Sequence, residues 1–114
     1  MLVSLKEIIG MAEKGNFAIP AFNVYNTETI MGVVKAAEEE RAPVIIQVYP
    51  RLLNEEVGYY LCPAIIAAAK KATVPVCFHL DHATDFDFKD ANAVFCHLLK
   101  SYHMKFLVRL QFIN

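Results

Sequence analysis

Pro75-Val76-Cys77-Phe78-His79-Leu80-Asp81-His82 is an apolar run that ends abruptly in a carboxylate and an imidazole. A buried strand that delivers polar groups at its C-terminal tip is how a parallel α/β protein presents catalytic side chains. Side chains alternate along a strand, so His79 and Asp81 share a face. Asp81 and His82 reach one pocket only if the backbone turns at the tip. An anonymous Asp-His pair also has a plainer reading, a helix-capping Asp beside a surface His.

The residues upstream lead to this strand in alternating units. Val44-Ile45-Ile46-Gln47-Val48-Tyr49 is β-branched and nearly free of polar residues, the mark of a central parallel strand. Gln47, its only polar side chain, either bonds a neighbouring strand end or points into a ligand site. Between these strands, residues 55–71 carry Val57, Leu61, Ile65 and Ala68 as the inner stripe of a helix capped by Asn54. Pro63 should kink that helix or mark where its regular part begins, and residues 50–54 read as a loop. Further back, Asn26 or Thr27 caps a helix to Glu40, with Ile30, Val33, Val34 and Ala37 inward and Glu38, Glu39 and Glu40 solvated. Phe17 to Phe22, interrupted by Pro20, fits a short buried strand with Asn23 at its far end. Asn23 alone suggests turn chemistry. The chain opens with a capping box, Ser4-Leu5-Lys6-Glu7, before a short helix that Gly15 ends.

Helix, strand, helix, strand, helix, strand with short connections is the parallel α/β signature, as barrel or open sheet. With 114 residues the chain is one small domain or part of one. It is 56% hydrophobic and 20% charged, with mean hydropathy +0.35. That is apolar for a short chain and suits strands buried on both faces, or a piece of something larger. The net charge of -1, without Lys or Arg clusters, argues against a nucleic-acid surface. Three cysteines at irregular spacing, with no CxxC, point to reduced thiols in a cytoplasmic chain. No leader pattern and no apolar run near the roughly 20 residues that span a bilayer are present, so no membrane partner is expected. Neither GxGxxG nor GxxxxGK[ST] occurs.

Histidine is the commonest protein ligand for zinc, and a nearby carboxylate can be ligand, orienter or acid/base. A zinc site needs three or more ligands. Beyond His79 and His82 the chain offers only His97 and His103, so spacing alone is a weak signal.

Three blocks together carry more. Asn16-Phe17-Ala18-Ile19-Pro20-Ala21-Phe22-Asn23-Val24, Ala42-Pro43-Val44-Ile45-Ile46-Gln47-Val48 and Val74-Pro75-Val76-Cys77-Phe78-His79-Leu80-Asp81-His82 resemble the N-terminal part of class II ketose-bisphosphate aldolases, in order and in spacing. These are zinc-dependent fructose- and tagatose-bisphosphate aldolases. The resemblance covers about residues 1–88 and implies the N-terminal part of a (β/α)₈ TIM barrel, incomplete, with about three to four βα units. It implies that Asp81 is the catalytic acid/base on the substrate C4 oxygen and that His82 is the first zinc ligand. Asn23 and Gln47 are implied to contact substrate. A sugar bisphosphate is the implied substrate and Zn²⁺ the implied cofactor. Full-length members are usually homo-oligomers.

The chain departs from the family at three places. Tyr49 stands where a Ser that helps hold substrate is common, and Ala83 where Gly or a small residue is usual. Residues 89–114 diverge, although Ala91, Val94, Phe95, Leu98 and Leu99 keep helical spacing and residues 106–112 resemble a strand. The catalytic Glu, two zinc histidines and the Gly-rich phosphate loops of the family have no counterpart here. A (β/α)₈ barrel takes about 250 residues, so a truncated or frame-shifted product, inactive and weak in zinc binding, is expected. Two other readings remain. One is a non-catalytic fragment or half-barrel interaction module. The remote one is a binuclear metallohydrolase of HxHxDH type, for which Cys77 occupies the first His position.

Overall fold

The computed structural model describes residues 1–53 and 56–82. The expected Asn54 cap and the expected elements between 89 and 114 lie outside the described residues.

The elements run β1 (Leu2–Val3), α1 (Leu5–Gly15), β2 (Ala21–Asn23), α2 (Thr27–Glu40), β3 (Val44–Val48), α3 (Pro50–Leu53), α4 (Glu56–Lys71) and β4 (Val76–Leu80). The strands form one parallel sheet in the order β1-β4-β3-β2. The fold is therefore the parallel α/β arrangement expected from unbroken apolar strands alternating with helices.

Local chemistry sets the helix ends. Ser4 caps α1 through a capping box with Glu7, and Asn26 caps α2 in the same way with Thr29. Each motif satisfies amide donors that a helix start leaves unpaired. Helix α1 ends at Gly15, but the left-handed residue is Asn16, at φ 52°. Asn tolerates this region better than most side chains. A Cβ at Gly15 would sit 2.3 Å from the exposed Phe17 ring, so a larger residue there would have to displace that ring.

The two faces of the sheet differ. Val44, Ile46 and Val48 of β3 and Val76, Phe78 and Leu80 of β4 point toward α2 and α4, where the main core includes Ile30, Leu61, Ile65 and Ile66. The alternate residues Ile45 and Cys77 face the other side, where Ile8 of α1 closes over them. Burial pushes the Cys77 thiol up to about 12, as it does that of Cys62, so both behave as small apolar groups.

Several sequence expectations shift. The first apolar run is not a buried strand over 17–22. Strand β2 starts at Ala21, and Phe22 is 48% exposed on β2, which among the described residues is an edge strand. The loop expected over 50–54 contains the short helix α3. Val57 is 42% exposed, and the inward stripe of α4 is Gly58, Leu61, Cys62, Ile65, Ile66 and Ala69. A residue without a Cβ is needed on that stripe, since a Cβ at Gly58 would lie 2.6 Å from Leu53 Cα of α3. Helix α4 continues through Pro63, whose side chain is exposed. Glu38 is not merely solvated. It accepts from the Thr73 amide at 2.6 Å and from the Thr73 hydroxyl, tying the end of α2 to the turn before β4. Strand β1 has no sequence signal of its own. Its backbone adds to the start of β4, where Val76 donates to Met1 O at 2.8 Å.

Among the described residues no helix is long and apolar enough to cross a membrane.

Candidate active site

The register builds the site in layers. Ala21, Ile45 and Cys77 are Cα partners across β2, β3 and β4, and two residues further on Asn23, Gln47 and His79 are partners. A period of two keeps each layer on one face. The lower layer includes the apolar floor that α1 closes. The upper layer is polar, and all three of its side chains are half-buried.

Asp81 follows at the next step. Its amide donates to Val48 O at 3.0 Å, so the ladder between β3 and β4 extends one residue past β4 and carries the carboxylate onto the face of the polar layer. Asn23 Nδ2 donates to Asp81 Oδ2 at 3.1 Å. This overturns the turn-chemistry reading of Asn23, whose side chain serves a residue at the tip of β4, two strands away on the same face. Asn23 Oδ1 is buried and among the described residues has no hydrogen-bond partner.

His82 turns the chain. It adopts φ 51°, a left-handed conformation uncommon for residues other than Gly and in which His is enriched. The turn places His82 Nε2 3.6 Å from Asp81 Oδ1. The two adjacent side chains thus meet at one strand tip, which strand alternation alone forbids. The His82 side chain is 80% exposed and that of Asp81 20%. His82 does lie at the surface, as the plainer reading expected, and Asp81 is approached from two sides, by Asn23 and by His82.

His79 lies level with Gln47. Partial burial lowers its imidazole below the ordinary histidine value, and the Asp81 carboxylate pulls it partly back. Spacing places His79 on the face of Asp81. That it lies in one row with Gln47 and Asn23 follows only from the register. Tyr49 is exposed just past β3.

The exposed imidazole of His82, beside a carboxylate, fits one ligand of a zinc ion. Among the described residues no three His, Cys, Asp or Glu side chains converge to hold a metal. What the arrangement can do unaided is hold a carboxylate, steadied by an amide and open to solvent, beside donor and acceptor groups suited to a polyhydroxylated ligand.

Comparison with known proteins agrees with this fold. The sequence pattern of the family described as fructose-bisphosphate aldolase class-II matches residues 3–104. The chain is similar to the YdjI aldolase from Escherichia coli K12, at 32% identity and a TM-score of 0.72, over 91% of this chain and 38% of that one. It is similar to a protein assigned as a fructose-1,6-bisphosphate aldolase from Coccidioides immitis, at 37% identity and a TM-score of 0.63, over 69% of this chain and 30% of that one. It is also similar to the fructose-bisphosphate aldolase from Campylobacter jejuni, at 32% identity and a TM-score of 0.55, over 72% and 28% of the two chains. The chain therefore spans well under half the length of these solved relatives.

Proposed function

Because the chain belongs to the class II fructose-bisphosphate aldolase family, we propose that its polar layer is part of a site for reversible aldol cleavage of a ketose 1,6-bisphosphate, fructose or tagatose. The observation that carries this reading is the Asn23–Asp81 hydrogen bond at the strand tips. Cleavage needs a base at the C4 hydroxyl, and an ionised carboxylate held by an amide can take that proton. As the C4 oxygen loses its proton, C4 becomes the aldehyde carbon of glyceraldehyde 3-phosphate and the C3–C4 bond breaks. Its electron pair moves into the C2 carbonyl, leaving the enediolate of dihydroxyacetone phosphate, which is protonated at C3. Asn23 and Gln47 contact the sugar, and Asp81 returns its proton in the condensation direction. His82 would be one ligand of a zinc ion, which when bound would supply polarisation of the C2 carbonyl.

One metal ligand among the described residues supports the further proposal that the 114-residue chain is inactive alone. The test is to mix it with the separately produced C-terminal part of a family member, supply zinc, and follow triose phosphate release from both bisphosphates. We expect no turnover before mixing, turnover after it, and loss of that turnover in Asp81→Asn. Turnover that survives Asp81→Asn would remove the role given to this residue. A second reading, a non-catalytic half that pairs with a complementary half-barrel, has its support in the uncovered Phe22 on the β2 edge. Stable association with the C-terminal part, without turnover, would favour it.

A further inference from the structure

The carboxamide of Asn23 is only half used. Asp81 as a carboxylate can only accept, so the Nδ2 contact sets which way the amide points. That leaves Oδ1 as a buried acceptor without a donor among the described residues, which native structures rarely keep. The nearby backbone donors are spent. The Val24 amide donates to Gln47 O at 3.0 Å, and the amides of Tyr25 and Asn26 donate to Thr29 Oγ1 at 3.0 and 3.2 Å.

The register narrows the choice among side chains. Gln47 is the Cα partner of Asn23 on the adjacent strand, on the same face. Adjacent strands lie about 4.8 Å apart, within reach of a glutamine side chain. His79 is one strand further away, at about twice that spacing, so Gln47 is the nearer donor. The Gln47 amide has two N–H donors, and among the described residues no hydrogen bond engages it.

We propose that Gln47 is a positioning residue that turns its terminal carboxamide to donate an N–H to Asn23 Oδ1, completing a relay Gln47–Asn23–Asp81 that holds the carboxylate in one orientation. The kinetic part of this inference rests on Asp81 acting as the base. The hydrogen bond itself does not. Gln47 keeps its second N–H and its carbonyl for a ligand, so the relay and a sugar contact are compatible.

The test begins with amide exchange by NMR on the isotopically labelled chain, without ligand. One Gln47 side-chain proton should exchange about tenfold or more slowly than a free glutamine amide, and Asn23→Leu should abolish that protection. Gln47→Met and Gln47→Glu should each shift the Asn23 side-chain amide resonances, since neither offers a donor once Glu is ionised. In the enzyme complemented as above, Gln47→Met should lower kcat about tenfold or more with KM nearly unchanged, whereas loss of a sugar contact alone would raise KM. Gln47 protons that exchange freely and ignore Asn23→Leu overturn the relay, whatever the activity. A Gln47→Met variant that changes KM alone overturns its positioning role. A complemented wild type without turnover overturns the base assignment of Asp81 and leaves the exchange result to decide the hydrogen bond.

Discussion

Asn23 and Asp81 stand 58 residues apart in the chain, and the amide of the first donates to the carboxylate of the second at 3.1 Å. Two sheet strands carry them to this contact, β2 at one edge and β4 beyond β3.

Removing the amide should disturb the carboxylate more than the fold. A hydrogen bond to a charged group is worth about 1.5–3 kcal/mol, and Asp81 is open enough to be rehydrated. Asn23→Leu should therefore cut aldol cleavage by the complemented enzyme about ten- to a hundredfold, while the denaturation midpoint moves little. Steady-state kinetics beside urea unfolding checks both parts.

His79 makes stability depend on pH. Its folded-state value lies below the ordinary 6.5, chiefly through burial. The unfolded chain therefore binds more protons once the pH falls below about 6.5. The contribution of His79 is present above that pH and is lost as the pH falls toward the folded value. Glu7 and Glu38, both lowered from the ordinary 4.5 by hydrogen bonds from Ser4 and Thr73, act in a more acidic window. Urea unfolding at pH 7.5 and pH 5.5 should show a smaller difference for His79→Asn than for the parent chain.

The floor under the polar layer should be sensitive to shape. Ile8 is fully buried against Ile45 and Cys77, and Ile8→Ala should cost about 2–5 kcal/mol. Gly58→Ala should also destabilise, by about 1–3 kcal/mol, because the added methyl meets α3 backbone rather than a movable side chain. Urea midpoints at constant m-value would verify both.

Zinc should be held weakly by this chain. His82 supplies one exposed nitrogen, and no group of three ligands forms among the described residues. A tetrahedral site needs more. Elemental analysis after dialysis should find well under one zinc per chain, and His82→Ala should lower it further. Stoichiometric, chelator-sensitive zinc would show that other residues complete the site.

Much of this architecture is written locally. The Ser4 and Asn26 caps, the both-face apolar strands β3 and β4, and Asp81 and His82 at a strand tip all depend on neighbours in the chain. Periodicity alone also assigns His79 and Asp81 to one face. Val57 shows where such reading slips. Its spacing suits an inner stripe, but the close approach of α3 gives that position to Gly58. Tertiary structure alone decided what meets across the sheet. Alternation tells which face a side chain takes, but not which strand lies beside it or at what register. So the row Asn23, Gln47, His79, the bond from Asn23 to Asp81, the tie from Glu38 to Thr73 and the uncovered Phe22 at the edge came from packing. Their partners are brought together by strand pairing and helix docking, which no local pattern encodes.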